Sequence, residues 1–111
     1  MVESSLSLDF IFGALANPIR RDILRRAAVQ EWSISELAKP YKLTFAAISK
    51  HLMVLEKAKL ILKRRRGKEL VISLSRPAFE NAADYLKEYE KLWNDRFDSL
   101  EHYLSSFPKQ S

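Results

Sequence analysis

Along residues 44–55 the apolar positions fall at helical spacing. Set at 100° per residue, Ile48, Leu52 and Leu55 share one narrow stripe, the face a helix lays on a core. Ala46, Ser49, Lys50 and Met53 fall on the opposite side. Small and polar residues on an outward helix face suit insertion into a DNA major groove, where bulky side chains would hold the helix away. Thr44 can cap the start by accepting from a free backbone N–H, and an exposed helix N-terminus favours a nearby phosphate. Taken alone, the pattern also fits a plain surface helix. Its neighbours decide between the two.

Upstream, residues 5–16 read as a first helix with Leu8, Ile11, Phe12 and Leu15 on one face, while Phe10 and Ala14 extend the apolar surface round the side. That much apolar surface on a short helix predicts burial on two sides. Asn17-Pro18 supplies a cap and a first-turn proline for a second helix over 18–29. This helix is expected to bury Ile19, Ile23, Leu24 and Ala27 and to show Arg20, Arg21, Arg25 and Arg26 to solvent. Ser33 and Glu36 form a capping box opening a short third helix over 34–39, and Pro40 discourages its continuation. Tyr41, Lys42 and Leu43 make the turn into the fourth helix, which ends near Ala58. A short capped helix, a tight turn and a longer helix is helix-turn-helix spacing.

Residues 60–75 have β-prone ends, with Leu70, Ile72 and Leu74 alternating with Val71 and Ser73. Gly67 can take the positive φ of a hairpin tip, so a β-hairpin is predicted with Arg64, Arg65, Arg66 and Lys68 at its tip. A hairpin directly after a recognition helix is a wing, and its basic residues would reach phosphates or the adjacent minor groove. A basic tip can also merely keep an edge hairpin soluble. The last helix is expected over 76–105, stopping before Pro108. Ala82, Leu86, Tyr89, Trp93, Phe97, Leu100, Leu104 and Phe107 recur along it at intervals of three and four. A seam shared by two identical subunits would cover such a stripe; covering the first helix of the same chain would use half of its length.

Charge sharpens this picture. The 111 residues carry a net +5, unevenly distributed: residues 1–43 total +1, residues 44–76 total +7 and residues 77–111 total −3. The positive charge is therefore concentrated on the fourth helix and the hairpin, the electrostatic footprint of nucleic-acid binding. The absence of cysteine excludes disulfides and thiolate metal sites. With no apolar run of 18 or more residues and no basic segment leading into an apolar one, a cytoplasmic protein without a membrane partner is expected.

Other chemistry is sparse. Asp98 and His102 have a two-ligand metal spacing on the last helix, but two ligands are not a site; a surface ion pair is the alternative, and neither a metal effector nor a cofactor is expected. His51 lies at the edge of the buried stripe, with one nitrogen able to reach a phosphate. Trp32 and Trp93 read as core anchors. No phosphate loop, nucleophile motif or paired-carboxylate constellation suggests an enzyme.

The order of elements resembles the ArsR family of winged helix-turn-helix repressors. The residues that carry the likeness are those at 14–21 (ALANPIRR), 34–38 (ISELA) and 47–56 (AISKHLMVLE), and the ending at 93–104 (WNDRFDSLEHYL) is similar to a metal-independent subgroup. The resemblance implies a homodimer held by its first and last helices, bound to an inverted repeat in a promoter and blocking transcription. Four departures stand out. Phe45 replaces a common glutamine, Met53 a common lysine or arginine, and Lys59 the glycine that usually follows the recognition helix, while the cysteines of the family's metal sensors are missing. The resulting expectation is one domain over 1–111, mainly α with a β-hairpin. Residues 5–16 would dimerise, 34–58 form the helix-turn-helix, 60–75 the wing, and 76–105 a long C-terminal dimerisation helix. Double-stranded DNA would meet Thr44, Phe45, Ala46, Ser49, Lys50, Arg64, Arg65, Arg66 and Lys68. The dimer seam would use Leu8, Ile11, Phe12, Leu15, Leu86, Tyr89, Trp93, Phe97, Leu100 and Leu104. A protein-interaction module using the aromatic last helix is the other reading.

Overall fold

The computed structural model describes residues 2–107. Five helices and three strands follow in the order α1 (Val2–Leu15), α2 (Pro18–Ala27), β1 (Trp32–Ser33), α3 (Ile34–Ala38), α4 (Phe45–Lys57), β2 (Ile61–Arg66), β3 (Glu69–Leu74) and α5 (Arg76–Ser105). Chain contacts divide it into a unit ending at Asn81 and a unit beginning at Ala82. Pro108, expected to stop the last helix, lies outside the described residues. Among the described residues, no helix is long and apolar enough to cross a membrane.

In the first unit, α4 packs on α1, α2 and β2, and α3 packs on β1 and β3. The core is aliphatic: Ile23, Leu37, Ile48, Leu52, Leu55, Leu60 and Ile72 are all fully buried. The expected stripe of α4 is therefore the face that seals this core. On α1 the innermost residues are Ile11 and Ala14, with Leu8, Phe12 and Leu15 half-buried. Ile11, assigned above to a dimer seam, is only 1% exposed within its own chain. It belongs to the core and has no surface to offer a partner, which corrects that assignment.

The sheet has a strand that sequence patterning overlooked. Two residues, Trp32 and Ser33, pair antiparallel with Ile72 and Val71, giving the strand order β1-β3-β2. A two-residue strand is too short to show alternation. Its presence makes β3 central, so Val71 and Ile72 are both buried while Leu70 is exposed. Hence burial along β3 does not follow the alternation of Leu70, Ile72 and Leu74 with Val71 and Ser73. The hairpin register, Arg66 opposite Glu69, leaves a two-residue turn of Gly67 and Lys68. Gly67 has φ 64° and Lys68 is not in the positive-φ region, the pattern of a type II′ turn with glycine first.

Lys59 answers how α4 ends without glycine. Its φ is 61°, the sole positive value for a non-glycine among the described residues. The Leu60 N–H donates to the Leu55 carbonyl at 3.0 Å and the Lys59 N–H to the Glu56 carbonyl at 2.9 Å. These are the two bonds of a Schellman motif, and the buried pair Leu55 and Leu60 supplies its hydrophobic contact. The motif forms because that apolar contact outweighs the left-handed penalty of about 1–2 kcal/mol on a residue with a Cβ. Replacing Lys59 by glycine removes the penalty, so Lys59→Gly is expected to stabilise the fold by about 1 kcal/mol. Thermal unfolding should register this as a Tm increase of roughly 4–8 °C.

Candidate nucleic-acid interface

The candidate surface is built on α4. The Thr44 Oγ accepts from the Ala47 N–H at 3.1 Å, so the predicted cap is made. With Ile48, Leu52 and Leu55 turned inward, Ala46, Lys50 and Met53 are exposed and Ser49 is half-buried. Phe45, at the leading end, is 65% exposed. It is brought beside the wing turn, where a groove of about 260 Å³ is lined by Ser33, Ile34 and Ser35, by Phe45, and by Lys68, Glu69 and Leu70. That juxtaposition was invisible in the linear sequence, because it depends on β1 drawing the hairpin alongside the start of α3.

Two arginines expected in solvent instead hold the helices around α4. Arg26 donates to the Leu37 carbonyl at 2.6 Å and to the Glu36 carbonyl at 3.4 Å, both at the end of α3, where the helix runs short of its own N–H donors. Its guanidinium lies 4.6 Å from the Trp32 ring centre, while the Trp32 Nε1–H donates to the Arg26 carbonyl at 2.9 Å. Tyr41, in the turn, donates its hydroxyl proton to Asp22 on α2. Trp32, expected in the core, is thus an anchor at its half-buried edge. Trp93 is not: it is 63% exposed on α5.

Arg20 does the same for α1, donating from Nε to the Ala14 carbonyl at 2.7 Å and from Nη2 to the Gly13 carbonyl at 3.1 Å. Its Nη1 lies 3.2 Å from Nδ1 of His51, on α4. A guanidinium can only donate, so Nδ1 accepts and the imidazole proton sits on Nε2. Burial, reinforced by the Arg20 charge, holds the His51 imidazole below its ordinary pKa. No linear motif marks these two arginines as caps, since their acceptors lie 6 to 11 residues away.

The wing is less uniform than its sequence. Arg65 and Lys68 have no acidic partner among the described residues. Arg66 reaches Glu69 only at 4.0 Å, and Lys63 lies 3.7 Å from Glu56 on α4. Arg64 is engaged by Glu31, donating from Nη2 at 2.8 Å and from Nε at 3.0 Å. These hydrogen bonds, aided by the charge of Arg64, hold the Glu31 carboxyl below its ordinary pKa.

On α5, Leu86, Tyr89, Trp93, Phe97, Leu100 and Leu104 are all exposed. Among the described residues, no three His, Cys, Asp or Glu side chains gather into a group able to hold a metal.

No family profile matches the chain. Among solved structures, an ArsR family transcriptional regulator, RHA00566, is similar with a TM-score of 0.77 at 31% identity, over 81% of this chain and 93% of its own. The chain belongs to the ArsR family. The transcriptional repressor SmtB homolog of Synechocystis sp. is 32% identical over 81 residues, 69% of this chain and 61% of that protein. The chain thus spans about three fifths of the length of that relative. The fold is also that of the homodimeric winged helix-turn-helix DNA-binding domain of Mb0332 from Mycobacterium bovis, with a TM-score of 0.59 at 22% identity over 84% of this chain and 83% of that one.

The departures noted in the sequence now have places. Phe45 and Met53 present apolar surface on the outward side of α4, and Lys59 occupies the left-handed residue after it.

His51 offers a direct check of the Arg20 contact. Because its folded pKa is lowered, the unfolded chain takes up that proton more readily. The associated stability is present above about pH 6.5 and is lost as pH falls through the window below it. An NMR titration should place the His51 midpoint below 6.5, and Arg20→Met should move it upward by removing the neighbouring cation.

Proposed function

We propose that this chain is a sequence-specific, DNA-binding transcriptional regulator that works as a homodimer, a cytoplasmic repressor acting on an inverted repeat in a promoter. The observation that carries the reading is the placement of a small-faced, exposed helix beside a cationic hairpin tip, within the segment that holds +7 of the net charge. The ArsR fold and the repressor named among the relatives support it. In this reading residues 1–111 act as one winged-helix domain. Lys50 and Ser49 read base edges, Ala46 and Phe45 make apolar contacts with thymine methyls, and Thr44, Arg65, Arg66 and Lys68 hold phosphates. A two-fold dimer would present two such helices at half-sites about one helical turn apart.

Dimerisation is proposed along α5, with Leu8, Phe12 and Leu15 of α1 adding their half-buried surface. Eight large apolar side chains are exposed on the 30-residue α5, six of them on the expected seam, a patch of the kind that marks protein–protein contact. The homodimeric Mb0332 domain has the same fold.

Anisotropy of a labelled operator and of a random duplex, measured over a salt series, tests the first part. Lys50→Ala should lose about 1–3 kcal/mol on the operator and little on the random duplex. Arg65→Ala should weaken both and reduce the salt slope by about 0.9. Absence of salt-dependent binding to any duplex would refute the reading and favour a protein-interaction module.

For the second part, the pair Trp93→Glu and Phe97→Glu changes only exposed positions. Sedimentation should then show a monomer, with operator binding at least about 100-fold weaker through lost bivalency. A dimer unaffected by both changes would rule out the α5 seam.

A further inference from the structure

The wing tip carries four cations, and the pleat turns two of them, Arg64 and Arg66, away from the recognition helix. In a β-ladder, residues opposite one another share a face and successive residues alternate. Lys63 and Arg65 lie on one face, opposite Ile72 and Leu70, and Lys63 reaches Glu56 of α4 at 3.7 Å. That face therefore looks toward the recognition helix. Arg64, opposite Val71, lies on the other face, and Val71 is in turn opposite Ser33 of β1. Glu31 is two residues before Ser33, on the same side. The Glu31–Arg64 pair consequently spans the sheet from one edge strand to the other, across β3.

The contact is fork-to-fork. Nε and Nη2 of Arg64 each meet a separate oxygen of Glu31, at 3.0 and 2.8 Å. Both side chains are half-exposed, and such surface pairs add little to stability. Their consequence lies in orientation. A duplex phosphate would have to displace a carboxylate already in bidentate register, leaving Glu31 unneutralised next to a polyanion. Arg65 and Lys68 carry no such competitor among the described residues.

We infer that Glu31 withholds Arg64 from duplex phosphates, so that the wing grips DNA through the remaining tip cations and holds non-operator DNA less tightly than its four basic residues would allow. Glu31 is thus a positioning residue, and Arg64 a brace of the sheet. The inference rests on the DNA-binding reading above.

The test needs no knowledge of the operator. A labelled random duplex of about 20 base pairs is titrated over a salt series, where each phosphate contact contributes about 0.9 to the logarithmic slope. Arg64→Ala should leave the wild-type slope unchanged, in contrast to Arg65→Ala. Glu31→Gln, nearly isosteric and exposed, should steepen the slope by about 0.9, so that a fourfold drop in salt tightens it about 3.5-fold more than the wild type. Combining Glu31→Gln with Arg64→Ala should abolish that gain. A pair with no bearing on DNA would leave the slopes of Glu31→Gln and of the double variant at the wild-type value. A flattened slope for Arg64→Ala with Glu31 intact, or an unchanged slope for Glu31→Gln, overturns the inference while leaving DNA binding in place. If no variant, nor the wild type, binds the duplex in a salt-dependent way, the DNA-binding reading itself fails and the inference with it.

Discussion

The burial of Ile48, Leu52 and Leu55 against the core of the first unit is the contact on which the rest depends. All three side chains are fully excluded from water, and each such burial is worth about 1.5–3 kcal/mol relative to exposure. Because they lie on one stripe of a 13-residue helix, sealing them sets the rotation of α4 about its own axis. The outward residues Ala46, Lys50 and Met53 follow from that rotation alone. The Schellman ending then extends the seal through Leu60, which feeds β2 from the base of the same core.

Arginine supplies the second layer of order. The ends of short helices leave carbonyls without partners, and here Arg20 and Arg26 satisfy them from α2, one at the end of α1 and the other at the end of α3. Each also makes a further contact: Arg20 with His51 on α4, and Arg26 with the rings of Trp32 on β1 and Tyr41 in the turn. Both side chains are half-buried, so their stems pack while their heads bond. α2 is in this sense a scaffold, placing α3 and α4 at the positions from which the outward face can work. Among the described residues, no buried side-chain nitrogen or oxygen lacks a hydrogen bond, which fits a structure in which polar groups enter the interior only as caps.

The two units differ in character. Residues up to Asn81 enclose an aliphatic core, whereas from Leu86 to Phe107 every residue is exposed. Aromatic pairs such as Tyr85 with Tyr89 and Trp93 with Phe97 stack edge-on along α5, at spacings of four. Such a helix is unusual in water without a covering partner, since its apolar stripe contributes to stability only when buried. Residues 77–111 carry a net −3 and residues 44–76 a net +7.

Most of the element order was legible along the chain, because helix periodicity, caps and turn residues act locally. The span of α5, the Thr44 and Asn17 caps and the Gly67 turn were all legible, each governed by neighbours within four residues. What lay beyond that range was not. Strand β1 exists only because β3 offers it an edge, Ile11 turns inward because α1 packs on α2 and α4, and Trp93 lies outside the core. Arg20 and Arg26 look like any solvent-facing helix cations until their distant carbonyls are in place. Arg64 reads as one of three equivalent arginines until the pleat turns it from α4 and places it against Glu31, 33 positions away. Local backbone preference is written along the chain; the partner of a long charged side chain is decided by where the fold brings the other end.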